Sequence, residues 1–469
     1  MPGLEDASRE ELLALVVEQA RMIEQLRAEV AELRRQLGRS SRNSSQPPSA
    51  DGPQVAPRRF RRGSGRKPGK QPGSPGSTLA LVDDPDEVIE HVPGCCRGCG
   101  ADLADGEPVA VVRRQVHDIP PVRPVIIEHR LHRRRCGCGA VTVAAAPPGV
   151  GGPTQYGPSL RALAVYLLVF QHVPVARTAQ LIADLTGARP STGWVSTALT
   201  EAAAALVEVE KLIQSLIVLA HVVHVDETSV SIAGARWWLH VAGTDRLTAY
   251  HLHRSRGRAA VNEFGVLPGY RGVAVHDALS VYDAYPDAYP DADHALCGAH
   301  LVRELTAAAE AHPDEIWPGQ ALAALLGLNT AAHHARDQGL TQIPPEVANP
   351  LHDRWRHAIL CGLATHRPVP GRKQSKTRNL LVRLRDRDEQ VLRFARDLSV
   401  PFTNNQAERD LRPAKTQLKI SGCHRSEAGA RAWVRVRGYI STVRKHGDDV
   451  LTALRDAITG NPWTPPQPA

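Results

Sequence analysis

The chain has 469 residues, about three domains at ~150 residues each, which excludes a single small binding module. It is 42% hydrophobic and 23% charged, so most of it can bury a core and only local stretches lack the means to fold. A net charge of +8 leans toward a polyanionic partner, and aromatics at 4% are too few for a broad base-stacking platform, which favours duplex DNA held through charge. No 18-residue apolar run and no export signal appear, so a soluble cytoplasmic protein without a membrane partner is expected, nucleoid-associated when bound to DNA.

Residues 7–37 carry Leu12, Val16, Ile23, Leu26, Val30, Leu33 and Leu37 at alternating three- and four-residue steps, with Gln19 as the polar seam position. That spacing predicts a coiled coil over 1–38 and a homo-oligomer built on it. Residues 39–84 are rich in Ser, Pro, Gly and Arg and read as a disordered basic linker. Its cations Arg58, Arg59, Arg61, Arg62, Arg66, Lys67 and Lys70, unmixed with acids, are candidates for tracking phosphates.

Within 85–150 lie a CxxC knuckle, Cys96 and Cys99, and a CxC knuckle, Cys136 and Cys138. Four thiolates in two close pairs suit tetrahedral structural Zn²⁺ rather than disulfides, with Cys95 an alternative to Cys96. Gly100 and Gly139 permit the tight turns, and the intervening segment reads as short strands broken at Pro120, Pro121 and Pro124. Arginines crowd this module, including Arg113, Arg114, Arg123, Arg130, Arg133, Arg134 and Arg135, as a DNA-reading zinc module requires. Residues 151–214 read as helices with a turn at Gly187–Pro190 and a cap at Ser191 or Thr192, a spacing shared by helix-turn-helix units and by scaffold hairpins.

The β-branched run "HVVHVD" ends in Asp226. Two hairpin strands, "RWWLHVAGT" and "LTAYHLH", a helical stretch and "GVAVHDA" follow, the last presenting Asp277. Strand carboxylate, hairpin, helix, strand carboxylate is the order of a ribonuclease-H-like fold, in which a later helix supplies a third acid. Glu408 in "FTNNQAERDLRP" is the candidate, on a helix capped by Asn404 or Asn405, facing Arg412 and, if the chain stays helical past Pro413, Lys415. Hard carboxylate oxygens suit two Mg²⁺ ions, or Mn²⁺, and so phosphodiester chemistry. Glu227 alternates to the opposite strand face. Asp283, Asp287, Asp291 and Asp293 belong to a solvated loop, and Cys297 and His300 share a helix face. Beyond Glu408 the chain is strongly basic, from Arg409, Arg412, Lys415 and Lys419 through Arg425, Arg431, Arg435, Arg437, Arg444 and Lys445, a surface expected to meet DNA.

The zipper, the linker "RKPGKQPGSPGSTL", both knuckles, "HVDET", "WWLHVAGT", "HDALSVY", "CGAH" and "NNQAERDLRPAKTQLKISG" together resemble the insertion-sequence-66 transposases of the Asp-Asp-Glu type. The segment "LGRSSRNSSQPPSADG" and the C-terminal end depart from the usual pattern and point to a divergent branch. The resemblance implies that Asp226, Asp277 and Glu408 form a catalytic triad. It implies element ends and target DNA as partners, strand cleavage and 3′-hydroxyl strand transfer as the activity, and for some members two small accessory proteins. It also implies a helical insertion between the second and third acids. The expected architecture is thus multidomain α+β: coiled coil, linker, zinc module and helical DNA-binding segment. These precede a ribonuclease-H-like core in two parts, 215–309 and 396–446, interrupted by an insertion over 310–395 and followed by a C-terminal helix and tail over 447–469.

Overall fold

The computed structural model describes residues 8–37, 40, 43, 44, 79–283, 289, 291–371 and 373–466. The basic tract from Arg58 to Lys70 and Asp287 lie outside the described residues.

Helix α1 (Arg9–Leu37) leaves its seam residues Leu12, Val16, Ile23, Leu26, Val30, Leu33 and Leu37 exposed. The cysteine module follows, with strands β1 (Arg133–Arg135) and β2 (Val141–Val143) paired antiparallel around the second knuckle. Residues 104–132 form no strand, contrary to the strands expected between the knuckles. Their apolar side chains are exposed, Val109, Val116 and Ile126 by more than nine-tenths, so no sheet partner covers the pattern that reads as β.

Helices α2 (Pro158–Val165), α3 (Val175–Thr186), α4 (Thr192–Ala205) and α5 (Val207–Val218) come next, with a π-helical turn over Tyr166–Phe170. Gly187 ends α3 at φ 77, and the Ser191 hydroxyl caps α4 by accepting the Trp194 N–H at 3.1 Å, as the sequence predicts. Helix α4 buries Val195, Ala198, Leu199, Ala202 and Ala203 and carries no Lys or Arg. Helix α4 packs on the C-terminal helix over Glu427–His446.

Strands β3 (Val222–Ile232), β4 (Ala235–Gly243) and β5 (Thr248–His253) make an antiparallel meander. Helix α6 (Arg258–Phe264) leads to β6 (Val273–His276), then α7 (Ser280–Asp283) and β7 (Asp293–Leu296). The sheet order is β5-β4-β3-β6-β7, with β6 parallel to β3 and β7 parallel to β6.

Helices α8 (Gly298–Ala311), α9 (Trp317–Asp337), α10 (Pro345–Thr365), α11 (Lys376–Asp386), α12 (Asp388–Val391) and α13 (Arg393–Arg396) gather around a core of their own. That core runs from Leu296 through Leu325, Leu328, Trp355 and Leu381 to Leu398. The chain then returns to the sheet as α14 (Asn405–Ser421), α15 (Glu427–His446) and α16 (Val450–Ile458). Helix α14 packs on β3 and β4, and α15 on β5. Pro413 lies inside α14, which continues past it at the cost of one backbone hydrogen bond. No helix among the described residues is long and apolar enough to cross a membrane.

Candidate active site

Asp226 is not at a strand end, as the sequence reading has it. Strand β3 continues to Ile232, paired with β4 throughout. The parallel ladder to β6 is the part that stops: its last pairs are Val223↔Ala274 and His224↔Val275. Continued by two residues, that register sets Asp277 opposite Asp226, both carboxylates on the same sheet face because side chains alternate in step on parallel neighbours. Asp277 Oδ1 accepts the Leu279 N–H at 3.1 Å, and Ala278 between them takes φ 67, a left-handed turn that lifts the chain away from the sheet.

Glu408 lies in the first turn of α14, on the sheet face that Asp226 shares with His224. Asn404 sets its position. Its side chain does not cap the helix. Instead the amide Nδ2 donates to the Val225 carbonyl at 2.8 Å, Oδ1 meets His224 Nδ1 at 2.9 Å, and the Asn404 N–H donates to Cys297 Sγ at 3.2 Å. One buried asparagine thereby ties α14 to β3 beside Asp226 and to Cys297, the residue that opens α8.

Burial, then the charges of Glu227 and Asp277 and more weakly of Glu408, push the Asp226 carboxyl up to about 8. No three acidic groups here bring oxygens within 4.8 Å of one another among the described residues. Asp226 stays protonated at pH 7 in Mg²⁺-free protein, whereas the unfolded chain ionises it near 3.8. The contribution of Asp226 to stability therefore falls as pH rises from about 4 to about 8, because over that window its native carboxyl holds the extra proton. Asp226→Asn should flatten this decline, checked as the difference between wild-type and variant melting temperatures across a pH series without Mg²⁺.

Glu227 points to the other face, as alternation predicts. Its side chain is fully buried, takes the Arg256 guanidinium at 2.6 Å and accepts the Tyr282 hydroxyl of α7. Burial raises its carboxyl despite both bonds. Its role is to fasten α7, and the chain leaving Asp277, beneath β3. Of the acids expected in a solvated loop, Asp283 ends α7 and Asp293 opens β7 instead; Asp293 pairs with Arg393 at 2.9 Å, and Asp291 with Arg271 at 3.7 Å.

Cys297 and His300 do not form a shared metal site with a third His, Cys or acidic ligand among the described residues. The Cys297 thiol is occupied by Asn404, while His300 Nδ1 is buried without a hydrogen-bond partner among the described residues. Burial holds the His300 imidazole below its ordinary value, with Arg303 next in effect, and the charges of Asp277 and Glu408 act against both. His300 therefore belongs with the acids, a placement that the Cys-x-x-His spacing alone does not reveal.

Arg409, Arg412, Lys415 and Lys419 are exposed on α14. Arg425, Arg431 and Arg444 are exposed as well, but three other cations of the basic run are not free surface groups. Arg437 is buried, Arg435 binds Glu210 at 2.6 Å, and Lys445 binds Asp410 at 2.8 Å with both side chains nearly buried. The expectation of a DNA-facing surface fails for these three: Lys445 and Arg437 lie where α15 meets α14 and the meander, and Arg435 ties α15 to α5 and α4.

In the cysteine module, Cys96 N–H donates to the Ala101 carbonyl and Gly100 N–H to the Cys96 carbonyl, both at 2.8 Å. The second knuckle repeats this with Cys136, Ala140 and Gly139 at 2.8 and 2.9 Å. Gly100 at φ 77 and Gly139 at φ 89 supply the left-handed turn that each knuckle requires. The Cys99 backbone amide, then that of Gly98, holds the Cys96 thiol below its usual range, and Cys138 does the same for Cys136. One thiol of each knuckle is thus drawn toward the thiolate that zinc demands. The halves stand apart, since no three of the sulfurs lie within 4.8 Å of one another. Arg133, Arg134 and Arg135 are exposed on β1.

A family model described as transposase IS66 family matches residues 153–432, the span from α2 through the sheet to α15. The chain belongs to the IS66 transposase family. A second model, the zinc-finger binding domain of transposase IS66, matches residues 93–139, which hold both knuckles. A third, a family of unknown function, matches residues 1–80. No curated protein matches the chain. As an IS66-family chain it carries its zinc-finger module ahead of the matched transposase span, in which Asp226, Asp277 and Glu408 all lie.

Proposed function

We propose that the chain is a DNA transposase of the Asp-Asp-Glu type, in which Asp226, Asp277 and Glu408 hold two Mg²⁺ ions on a ribonuclease-H-like core. The sheet order β5-β4-β3-β6-β7, with the first three strands antiparallel and the last two parallel to β3, supports that core. The observation that carries the assignment is the register that sets Asp277 beside Asp226, on the face where α14 brings Glu408. When bound, Mg²⁺ supplies Lewis-acid activation of the attacking oxygen and charge stabilisation of the leaving one.

The chain's own part is positional. Asn404 fixes α14 against β3, Glu227 fixes the turn after Asp277, and His300 offers a buried imidazole beside the acids. In the first step water adds to phosphorus, the P–O3′ bond breaks, and the 3′ oxygen leaves as a hydroxyl. In the second the oxygen of that hydroxyl bonds to a target phosphorus, the target's own P–O3′ bond breaks, and the displaced 3′ oxygen leaves with the proton the attacking hydroxyl gives up, so no covalent protein intermediate is needed. Cys96, Cys99, Cys136 and Cys138 would hold structural Zn²⁺ once the knuckles close, presenting Arg133, Arg134 and Arg135 to DNA. The exposed seam of α1 would pair subunits as a coiled coil.

Labelled element-end DNA incubated with the protein, Mg²⁺ and target DNA tests this reading. Joined product is expected. Cutting without joining would make the protein a nuclease of the same fold, and binding without cutting a regulator.

Each of Arg409→Ala, Arg412→Ala and Lys415→Ala should weaken binding to all sequences alike. Each should also reduce the slope of log affinity against log salt by about one, read by fluorescence anisotropy.

A further inference from the structure

Away from the acids, inside the helical insertion, three side chains from separate places converge. His312 ends α8, Glu315 lies in the loop before α9, and His366 ends α10. One donor atom from each lies within 4.8 Å of the others. Glu315 Oε2 is 2.8 Å from His366 Nε2, and Oε1 is 3.6 Å from His312 Nδ1. Ligands at about 2.0–2.1 Å around a tetrahedral zinc stand roughly 3.3–3.4 Å apart, which these two separations bracket. The side chains are 29%, 23% and 14% exposed in that order, sheltered yet reachable.

The surroundings are those of a metal site as well. His312 Nε2 is 3.0 Å from the Thr377 hydroxyl at the start of α11, which fixes the ring so that Nδ1 is left to the cluster. Trp317 Nε1–H donates to Glu315, and the Arg378 guanidinium donates to the His366 carbonyl. Metal-binding imidazoles and carboxylates are characteristically oriented by such outer partners. Two imidazoles and one carboxylate favour Zn²⁺ over Mg²⁺, and three protein ligands leave the fourth position to water.

We propose that His312, Glu315 and His366 bind Zn²⁺, forming a second zinc site that staples the α8–α9 corner to the ends of α10 and α11. Because α8 starts at Cys297 and carries His300, the staple fixes the far end of the helix that borders the acids. The inference rests on the insertion alone and stands whether or not the protein joins DNA strands.

The test is histidine footprinting with diethyl pyrocarbonate on the full chain, mapped by mass spectrometry before and after adding Zn²⁺. Modification of both His312 and His366 should be lost on adding Zn²⁺, should return with chelator, and should not be lost on adding Mg²⁺. Glu315→Ala, matched to wild type by circular dichroism, should no longer gain that protection. Equal modification of His312 and His366 with and without excess Zn²⁺ in the wild-type protein would overturn the site and leave a hydrogen-bonded cluster. The wild-type footprint needs no variant, and the thiols of the knuckles do not contribute to a readout at these two histidines.

Discussion

Asp226→Asn, Asp277→Asn and Glu408→Gln should each bind labelled end DNA as wild type does and cut it about 10²–10³-fold more slowly or worse. Each substitution keeps the shape of the side chain and removes its charge. On the proposed two-ion reading Asp226, whose carboxyl feels the charges of both Asp277 and Glu408, serves both ions and its loss costs most. Groups that act as a unit lose activity non-additively, so Asp226→Asn combined with Glu408→Gln should be little slower than the worse single variant. Cleavage rates under single-turnover conditions, with binding measured in parallel, provide the check. A variant that cuts at the wild-type rate removes its residue from the site.

Lys445→Met should destabilise the fold by about 3–5 kcal/mol, the scale of a buried carboxylate left without its cation. Lys445 reaches Asp410 at 2.8 Å and also donates to the carbonyls of Thr244 at 2.7 Å and Leu247 at 2.9 Å. Burial lowers the Lys445 ammonium more than Asp410 restores it, so the pair is a positioning device rather than a source of net stability. Gly243 shows how close the approach is: a Cβ there would stand 2.6 Å from Asp410 Oδ2. Adding Asp410→Asn to Lys445→Met should recover most of the loss in denaturant melts, because no buried charge is then left unpaired. Cleavage should fall with the single variant too, since Asp410 and Glu408 share the same helical turns of α14.

The acids were legible because each sits where local pattern speaks. Asp226 and Asp277 follow β-branched runs, and Glu408 follows a pair of asparagines at a helix start. The extent of β3 was not, because "ETSVSI" is polar enough to read as loop until β4 pairs with it. Asn404 reads as an ordinary helix cap, and its link to Val225 joins residues 179 apart in sequence. Charge counting placed Lys445 and Arg437 beside Arg412 on one surface, although burial separates them, and composition holds no signal for burial. His312, Glu315 and His366 are scattered through helical sequence and acquire meaning only where α8 and α10 end together. The strands expected between the knuckles show the converse: β-branched residues alone do not make a sheet without a neighbour to cover them.

The most direct test of a shared ion site is affinity cleavage with Fe²⁺ in place of Mg²⁺, in the presence of element-end DNA and peroxide. Radicals formed at the bound ion cut the nearest backbone. The expected cuts fall around Asp226, Asp277 and Glu408 together and vanish when excess Mg²⁺ competes. Cuts confined to other segments, or cuts at these residues that Mg²⁺ does not suppress, would contradict a common metal centre built by β3, β6 and α14.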